Sequence, residues 1–423
     1  MFHSLSAELT DLIIDAVDNS DCDSLRQFSL VSRTWRPRSQ YKLFSRTVNL
    51  IHPDARMPCG RNWKGSRNHL LNYALEFLHI ANVSCTIASA VQGLIIPHIA
   101  FDHTLPFEHL QSLEIVLIAE DGSRNTLLRD MNHVELDPRG RLVRSVFAGT
   151  FPPTLVQQNL HLQKLVLTNM VIDEELMLSV FQALGADKGE ASLSHLTLNR
   201  CTFAPPPTSL LAVRRGEPHQ VKFRDLSLVI GEVENIDIFL NSFYVQGLRS
   251  LFFATDGNAL DACADVINKY HSQIQRLTFK NLPCCVGSGF EDIQYEKLHS
   301  LKEVYIASTY FHHYLSSDDS ACQMIKKIAE TPDVHLQVLG LPANSILSNS
   351  AARIDDLLAN LALAKPNSLK EIMFWWEEDR ELSNGRPIGE KLPRAAKTEM
   401  LMMVSGENVD GFTLPGLTTL RWF

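Results

Sequence analysis

Residues 160–200 read LHLQKLVLTNMVIDEELMLSVFQALGADKGEASLSHLTLNR, and this stretch contains one spacing of apolar residues twice. Each copy runs apolar-x-x-apolar-x-apolar, and the two copies are Leu162, Leu165, Leu167 and Leu193, Leu196, Leu198. The last two residues of a copy are two positions apart, so they point to the same face of a β-strand. Residues 173–184, between the copies, carry apolar residues at helical spacing. The stretch therefore predicts a strand, a helix and a second strand in succession.

The same spacing recurs along most of the chain. The ten clear copies begin at Leu110, Leu162, Leu193, Phe223, Leu248, Ile274, Leu301, Leu336, Leu369 and Leu417, and a weaker copy is Ile96, Ile99 and Phe101. Helices are predicted between copies at 173–184, 234–245, 258–270, 318–330 and 350–364. One such strand cannot bury its apolar face alone, whereas stacked units bury a continuous core. Strand, turn and helix in units of about 20–29 residues is the leucine-rich-repeat plan, here in an irregular form.

The first 46 residues have a different pattern. Leu9, Leu12, Ile13, Ala16 and Val17 recur at helical spacing and predict an amphipathic helix. The three short helices predicted in this segment span roughly 6–18, 23–34 and 37–45. Helices this short are too small to bury their own apolar stripes, so they need a partner or the rest of the chain.

This N-terminal segment resembles an F-box, and in particular the F-box-like proteins of mushroom-forming fungi. The residues that carry the resemblance are Leu5-Ser6, Glu8-Leu9, Ile13-Ile14, Leu25, Val31-Ser32-Arg33-Thr34-Trp35 and Tyr41-Lys42-Leu43-Phe44. Ser6 departs from the family pattern, which has proline there, although serine also caps a helix well. The resemblance implies an α/β protein with an F-box at residues 1–46. An irregular leucine-rich-repeat solenoid would follow at 47–423, with parallel strands on its concave side, helices on its convex side, and insertions near 119–160 and 380–415.

In that family the F-box binds Skp1, and through Skp1 a cullin, while the repeats capture the protein substrate of an SCF ubiquitin ligase. The residues expected to bind a Skp1-like adaptor are Leu5, Glu8, Leu9, Ile13, Leu30, Val31 and Trp35. Helical spacing alone does not separate those that face a partner from those that pack the module's own core. The alternative is a free-standing repeat protein whose degenerate F-box only caps the array, since solenoids need a capping element.

A candidate substrate surface follows from the repeat. Side chains that alternate with the buried strand residues project onto the opposite, concave face of the sheet. The candidates on that face are Phe252, Arg276, Lys280, Tyr305, Met373 and Trp375. Large apolar groups at exposed positions would be interface anchors. The alternative is that an insertion or the C-terminal tail covers them.

Composition excludes several other functions. The net charge of −9 argues against a nucleic-acid partner, and no apolar run is long enough to span a membrane. With no recognisable signal peptide, eight scattered cysteines predict free thiols and a cytoplasmic or nuclear protein. No motif for a catalytic site, a metal or a cofactor occurs. One basic cluster, interpreted either as a solvated face or as a rim facing an acidic partner, comprises Arg26, Arg33, Arg36, Arg38, Lys42 and Arg46.

Overall fold

The computed structural model describes residues 6–17, 21–45, 47–50, 67–97, 107, 109–116, 161–168, 170–189, 191–204, 217–231, 233–253, 260–279, 291–306, 320–342, 351–375, 392–398 and 401–404. By its contacts the chain divides into two compact units. The first unit contains Met1–Ser194 and Arg200–Lys222, and the second contains His195–Asn199 and Phe223–Phe423.

Strands and helices alternate along most of the described chain. The strands are β1 (Thr47–Asn49), β2 (Gly93–Pro97), β3 (Ser112–Val116), β4 (Lys164–Thr168), β5 (Val171–Ile172), β6 (His195–Asn199), β7 (Cys201–Phe203), β8 (His219–Ile230), β9 (Val233–Glu234), β10 (Phe243–Phe253), β11 (Arg276–Phe279), β12 (Glu303–Ile306), β13 (Val338–Pro342), β14 (Glu371–Trp375) and β15 (Leu401–Val404). The helices are α1 (Ala7–Ala16), α2 (Cys22–Val31), α3 (Arg36–Phe44), α4 (Arg67–Val83), α5 (Cys85–Ala90), α6 (Glu174–Ala183), α7 (Ile236–Ser242), α8 (Leu260–Tyr270), α9 (Ser320–Glu330), α10 (Ala351–Ala364) and α11 (Pro393–Ala396). A 3₁₀ turn spans Tyr295–Lys297.

Three short helices occupy the N-terminal segment at the predicted positions. The Ser6 hydroxyl caps α1 by accepting a hydrogen bond from the Leu9 backbone N–H at 3.3 Å. The Asp21 carboxylate caps α2 in the same way, accepting from the Ser24 N–H at 3.0 Å. Each cap satisfies a backbone donor that has no partner inside the helix. These caps explain why the helices begin where they do.

Parallel pairing dominates both units. In the first unit β1, β2, β3 and β4 pair in sequence order, all parallel. In the second unit the strand order is β6, β8, β10, β11, β12, β13, β14 and β15. There β6 pairs with β8 in parallel, and every pair from β10 to β15 is parallel as well. The second unit is therefore a mixed α/β structure built on a large parallel sheet.

The apolar residues of the predicted copies lie in the core. In the nine clear copies that the structure describes, all three apolar residues are buried. In the second unit the middle residues align across neighbouring strands, as Leu251, Leu277, Val304, Leu339 and Ile372. This aliphatic row is the continuous core that stacked units create. The tenth copy, which begins at Leu417, lies outside the described residues, as does the insertion predicted near 119–160.

Two of the predicted elements were wrong in detail. The helix predicted over 234–245 ends at Ser242, and β10 begins at Phe243. Phe243 and Val245 are buried on either side of the half-buried Tyr244, which is the two-residue period of a strand.

The register of β8 also differs from the prediction, because the residues of β8 that pair with Leu196 and Leu198 are Leu228 and Ile230. The strand register at β8 therefore lies two residues beyond the copy that begins at Phe223.

The ends of the repeat array also differ from the prediction. β2 aligns Leu94 with Leu113 and Ile96 with Ile115, so Val91, Leu94 and Ile96 have the repeat spacing at this strand. Ile99 and Phe101 of the weaker predicted copy lie outside the described residues. At the other end, the stretch near 380–415 contains α11, which packs on α10, and β15, which pairs with β14. The parallel sheet thus continues into a stretch that the sequence marked as an insertion.

Candidate functional site

The N-terminal helices enclose a small core of their own. Ile14 of α1, Leu25 of α2 and Leu43 of α3 are buried together, and Val17, Phe28, Trp35 and Phe44 pack around them. The Trp35 ring meets the Phe28 ring edge-on, with centroids 5.1 Å apart. Trp35 therefore helps to hold the three helices together, so its large side chain is committed to this core in part.

Helix α1 carries apolar residues on two faces, where the sequence pattern predicted one stripe. Thr10, Ile14 and Val17 face the core, whereas Leu9, Leu12 and Ala16 form an exposed face. Each residue turns the helix by about 100°, so Leu9, Leu12 and Ala16 lie within about 60° of one another. The five apolar residues that predicted α1 span an arc of the helix that includes both faces. Packing against α2 and α3 decides which of these residues are buried.

A second exposed apolar site lies at the end of α2. Leu30 is 75% exposed and Val31 is also exposed, although both are large aliphatic side chains. Leu12, which is not among the predicted adaptor contacts, is 66% exposed. Its position beside Leu9 on the helix could have indicated it from the sequence. Leu9, Leu12, Leu30 and Val31 are named here the apolar docking residues.

The structure places the other predicted adaptor contacts in different environments. Glu8 is exposed in the first turn of α1, and Ile13 is half-buried between the two faces of that helix. Trp35 is half-buried in the module core. Leu5 lies outside the described residues. Of the seven predicted contacts, Glu8, Leu9, Leu30 and Val31 are therefore open to a partner.

Part of the predicted basic cluster binds α1. Arg38 donates hydrogen bonds to both carboxylate oxygens of Asp15 at 2.8 Å, which lowers the pKa of Asp15 below its usual value. The Lys42 ammonium donates to the carbonyls of Ile14 at 3.1 Å and Asp15 at 2.7 Å, and to that of Val17. A lysine at this position satisfies carbonyls that the end of a helix leaves without partners. Arg38 and Lys42 are therefore committed to contacts with α1.

The expectation that Phe252, Tyr305 and Met373 are exposed was wrong, because all three are buried. Cross-strand register sets Phe252, Thr278, Tyr305, Gly340 and Met373 in one row. Large and small side chains alternate along this row, and neighbouring strands are only about 4.8 Å apart.

The remaining candidates on this face lie in or beside a half-buried polar row. Register aligns Ser250, Arg276, Glu303, Val338 and Glu371, and all five are half-buried; they are named here the polar row. Lys280 and the side chain of Trp375 lie outside the described residues. The polar row is thus the part of this face where charged side chains are partly exposed to solvent.

Arg276, Glu303 and Tyr305 form a closed network on the sheet. The Arg276 guanidinium donates to the Glu303 carboxylate at 2.5 Å, and the Tyr305 hydroxyl donates to the same oxygen at 3.1 Å. The guanidinium also lies 5.8 Å from the centre of the Tyr305 ring. Burial is the main cause of the raised pKa of Tyr305, and the Glu303 charge adds to it. This hydroxyl therefore remains a hydrogen-bond donor.

Within the described ranges, no three His, Cys, Asp or Glu side chains lie close enough together to hold a metal ion. No helix in that part of the chain is long and apolar enough to cross a membrane. The four cysteines whose side chains are described form no disulfide: Cys201, Cys263 and Cys322 are buried, whereas Cys85 is exposed. A cavity of about 200 Å³ beside α9 is lined by Glu291, Tyr295, Gln323, Lys326, Lys327 and Glu330.

Comparison with known proteins gives little beyond this description. No family model matches the sequence, and no curated protein matches it. Among solved structures, the chain is similar to a chain in the crystal structure of the TLR13–ssRNA13 complex, with 10% sequence identity and a TM-score of 0.30. The match covers 72% of this chain and 41% of that chain, so this chain spans less than half the length of the structure it matches. Similarity at this level assigns neither a family nor a function.

Proposed function

We propose that this chain is the substrate-recognition adaptor of an SCF-type ubiquitin ligase. Its N-terminal helices would bind a Skp1-like protein, which links to a cullin, while its repeats bind a protein substrate. The observation that carries this proposal is the exposure of the apolar docking residues on a module whose own core is already filled by Ile14, Leu25 and Leu43. Large aliphatic groups exposed in this way are typical anchors of a protein interface.

The repeat units supply the second binding surface of an adaptor. Phe252, Tyr305 and Met373 are buried, so we expect them to support the sheet rather than to meet a substrate directly. The polar row offers half-exposed charges on a rigid parallel sheet instead, and we expect substrate contacts from Arg276, Glu303 and Glu371. Charges on such a surface favour specificity and fast association more than raw affinity. A ligase adaptor of this kind would act in the cytoplasm or the nucleus.

Capture of a Skp1-like protein by the full chain tests the proposal. Leu30→Asp and Leu12→Asp place a carboxylate on an apolar docking residue without disturbing the module core. Each variant should weaken capture by at least about thirtyfold, as the loss of an interface anchor does. The matched control is Leu363→Asp, because Leu363 of α10 is 74% exposed but remote in sequence from the module. Wild-type binding by both docking variants would contradict the proposal.

A second function has support from one packing contact. The Phe44 ring of α3 lies 6.0 Å from the Phe77 ring of α4, and α3 also packs on α5. These contacts support a role for the N-terminal helices as a capping element at the start of the array. In a free-standing scaffold they would do only this. That function predicts no capture of a Skp1-like protein by the wild-type chain, and a loss of stability in Phe44→Ala.

A further inference from the structure

The exposed face of α1 has an acidic border on one side. Going around the helix, Asp11, Asp15 and Glu8 fall within about 60° of one another, directly beside Leu12. The other border of the exposed face is Ile13, which is half-buried and apolar. A partner that lies on Leu9 and Leu12 therefore meets carboxylates along one edge only.

The negative charge of this border is concentrated in the N-terminal half of α1. Asp15, at the other end, is ion-paired with Arg38, and the Lys42 ammonium binds the last carbonyls of the helix. Glu8 lies seven residues before Asp15, or about 10 Å along the helix axis. Hydrogen bonds from its own backbone N–H and from Ser6 lower the pKa of Glu8, so this carboxylate is ionised at neutral pH.

Resting on the proposed function, we propose that the partner of α1 presents an apolar surface bordered by lysine or arginine side chains, which face Glu8 and Asp11. Apolar contact with Leu9 and Leu12 supplies the affinity, and the basic side chains supply the orientation. The chemistry follows from charge complementarity, since a neutral or acidic edge would leave two carboxylates facing apolar or like-charged groups. The one-sided border also fixes the direction in which the partner lies across the helix.

The consequence can be measured as an association rate. Opposite charges at the rim of an interface steer the encounter of the two proteins, and salt screens that effect. Association of the wild-type chain with a purified Skp1-like protein should therefore slow as the salt concentration rises. The double variant Glu8→Lys with Asp11→Lys should associate about tenfold more slowly at low salt. The neutral variant Glu8→Gln with Asp11→Asn, which keeps the shape of the helix, should fall between the two.

The control separates local from overall charge. Asp187→Lys with Asp265→Lys makes the same change in net charge at exposed residues outside the N-terminal helices, in a turn and in α8, and it should leave the association rate unchanged. Equal rates for the wild-type chain and both α1 double variants would overturn the inference, while the loss of capture in Leu12→Asp would still support the proposed function. Absence of capture by the wild-type chain would instead overturn both.

Discussion

Arg38 donates two hydrogen bonds to Asp15, from Nε to Oδ1 and from Nη2 to Oδ2, and both are 2.8 Å long. The pair joins α3 to α1 across 23 residues of sequence. Planar guanidinium and carboxylate groups match in this arrangement, which fixes the direction of each side chain as well as its distance. The pair thus helps to set which face of α1 turns toward solvent, and so where Leu9 and Leu12 are presented.

The pair makes the stability of the N-terminal module depend on pH. The folded pKa of Asp15 is lowered from the ordinary value of 3.8. Its contribution is therefore present above pH 3.8 and is lost as the pH falls through the lowered folded value. Both side chains are 41% exposed, so we expect Asp15→Asn to reduce the free energy of unfolding by only about 0.5 kcal/mol at pH 7.

Urea denaturation of the full chain, followed by tryptophan fluorescence, checks this expectation. The difference between the wild-type chain and Asp15→Asn should be present at neutral pH and should disappear in acid below the lowered pKa. Asp265→Asn changes an exposed carboxylate of α8 and serves as the control. A difference between Asp15→Asn and wild type that persists unchanged in acid would contradict the assignment to the Arg38 pair.

Trp35 distinguishes core packing from partner binding. Because its ring packs on Phe28 and on the Ile14, Leu25 and Leu43 core, Trp35→Ala should destabilise the N-terminal helices by about 2 kcal/mol or more. Leu30→Ala should change stability by less than about 0.5 kcal/mol, since Leu30 is mostly exposed. Hydrogen exchange of the α1–α3 amides measures both effects. Equal protection in the two variants would show that Trp35 has no core role.

The alternation of strands and helices could be predicted because one spacing of apolar residues is repeated along the chain. The spacing that begins at Leu162 recurs along the chain, and each copy selects buried residues by strand periodicity alone. The register of β8 could not be predicted, because Leu226, Leu228 and Ile230 are all apolar and all buried. The register is set by pairing with Leu196 and Leu198 of β6, which is a tertiary contact that the sequence of β8 does not contain.

The site was less predictable because its residues take their roles from neighbours. Leu9 and Ile14 belong to the same helix and are both large aliphatic residues, but packing against α2 and α3 buries Ile14 and leaves Leu9 exposed. In the same way Tyr305 looks like an exposed strand residue until register places it between Thr278 and Gly340. The spacing of apolar residues along the sequence predicts neither the exposure of Leu9 nor the burial of Tyr305.

Gly247 should be intolerant of any side chain. It has a positive φ of 83°, and a Cβ at this position would lie 2.0 Å from the Phe223 carbonyl oxygen of the neighbouring strand. Gly247→Ala therefore combines left-handed strain with a backbone clash, and it should lower the free energy of unfolding by more than about 3 kcal/mol.

Gly189 offers a matched control for the strain alone. Its φ is also positive, at 73°, but the nearest contact of a Cβ there would be an ordinary 3.7 Å from the Lys222 side chain. Gly189→Ala should cost about 1 kcal/mol. Chemical denaturation of the two variants measures the difference, and equal destabilisation would show that β10 shifts to relieve the clash.

Asp355 fastens α11 to α10 and so supports the end of the sheet. Its buried carboxylate accepts hydrogen bonds from the backbone N–H groups of Arg394 at 3.0 Å and Ala395 at 2.7 Å. Asp355→Ala would leave both donors without this acceptor, which costs about 1–3 kcal/mol for a buried group. Its neighbour Asp356 only forms an exposed ion pair with the Arg394 side chain, so Asp356→Ala should cost less than about 1 kcal/mol. The rate of amide hydrogen exchange at residues 392–398 should rise sharply in Asp355→Ala and little in Asp356→Ala. A similar rise in both variants would show that the Arg394 side chain holds α11 in place instead.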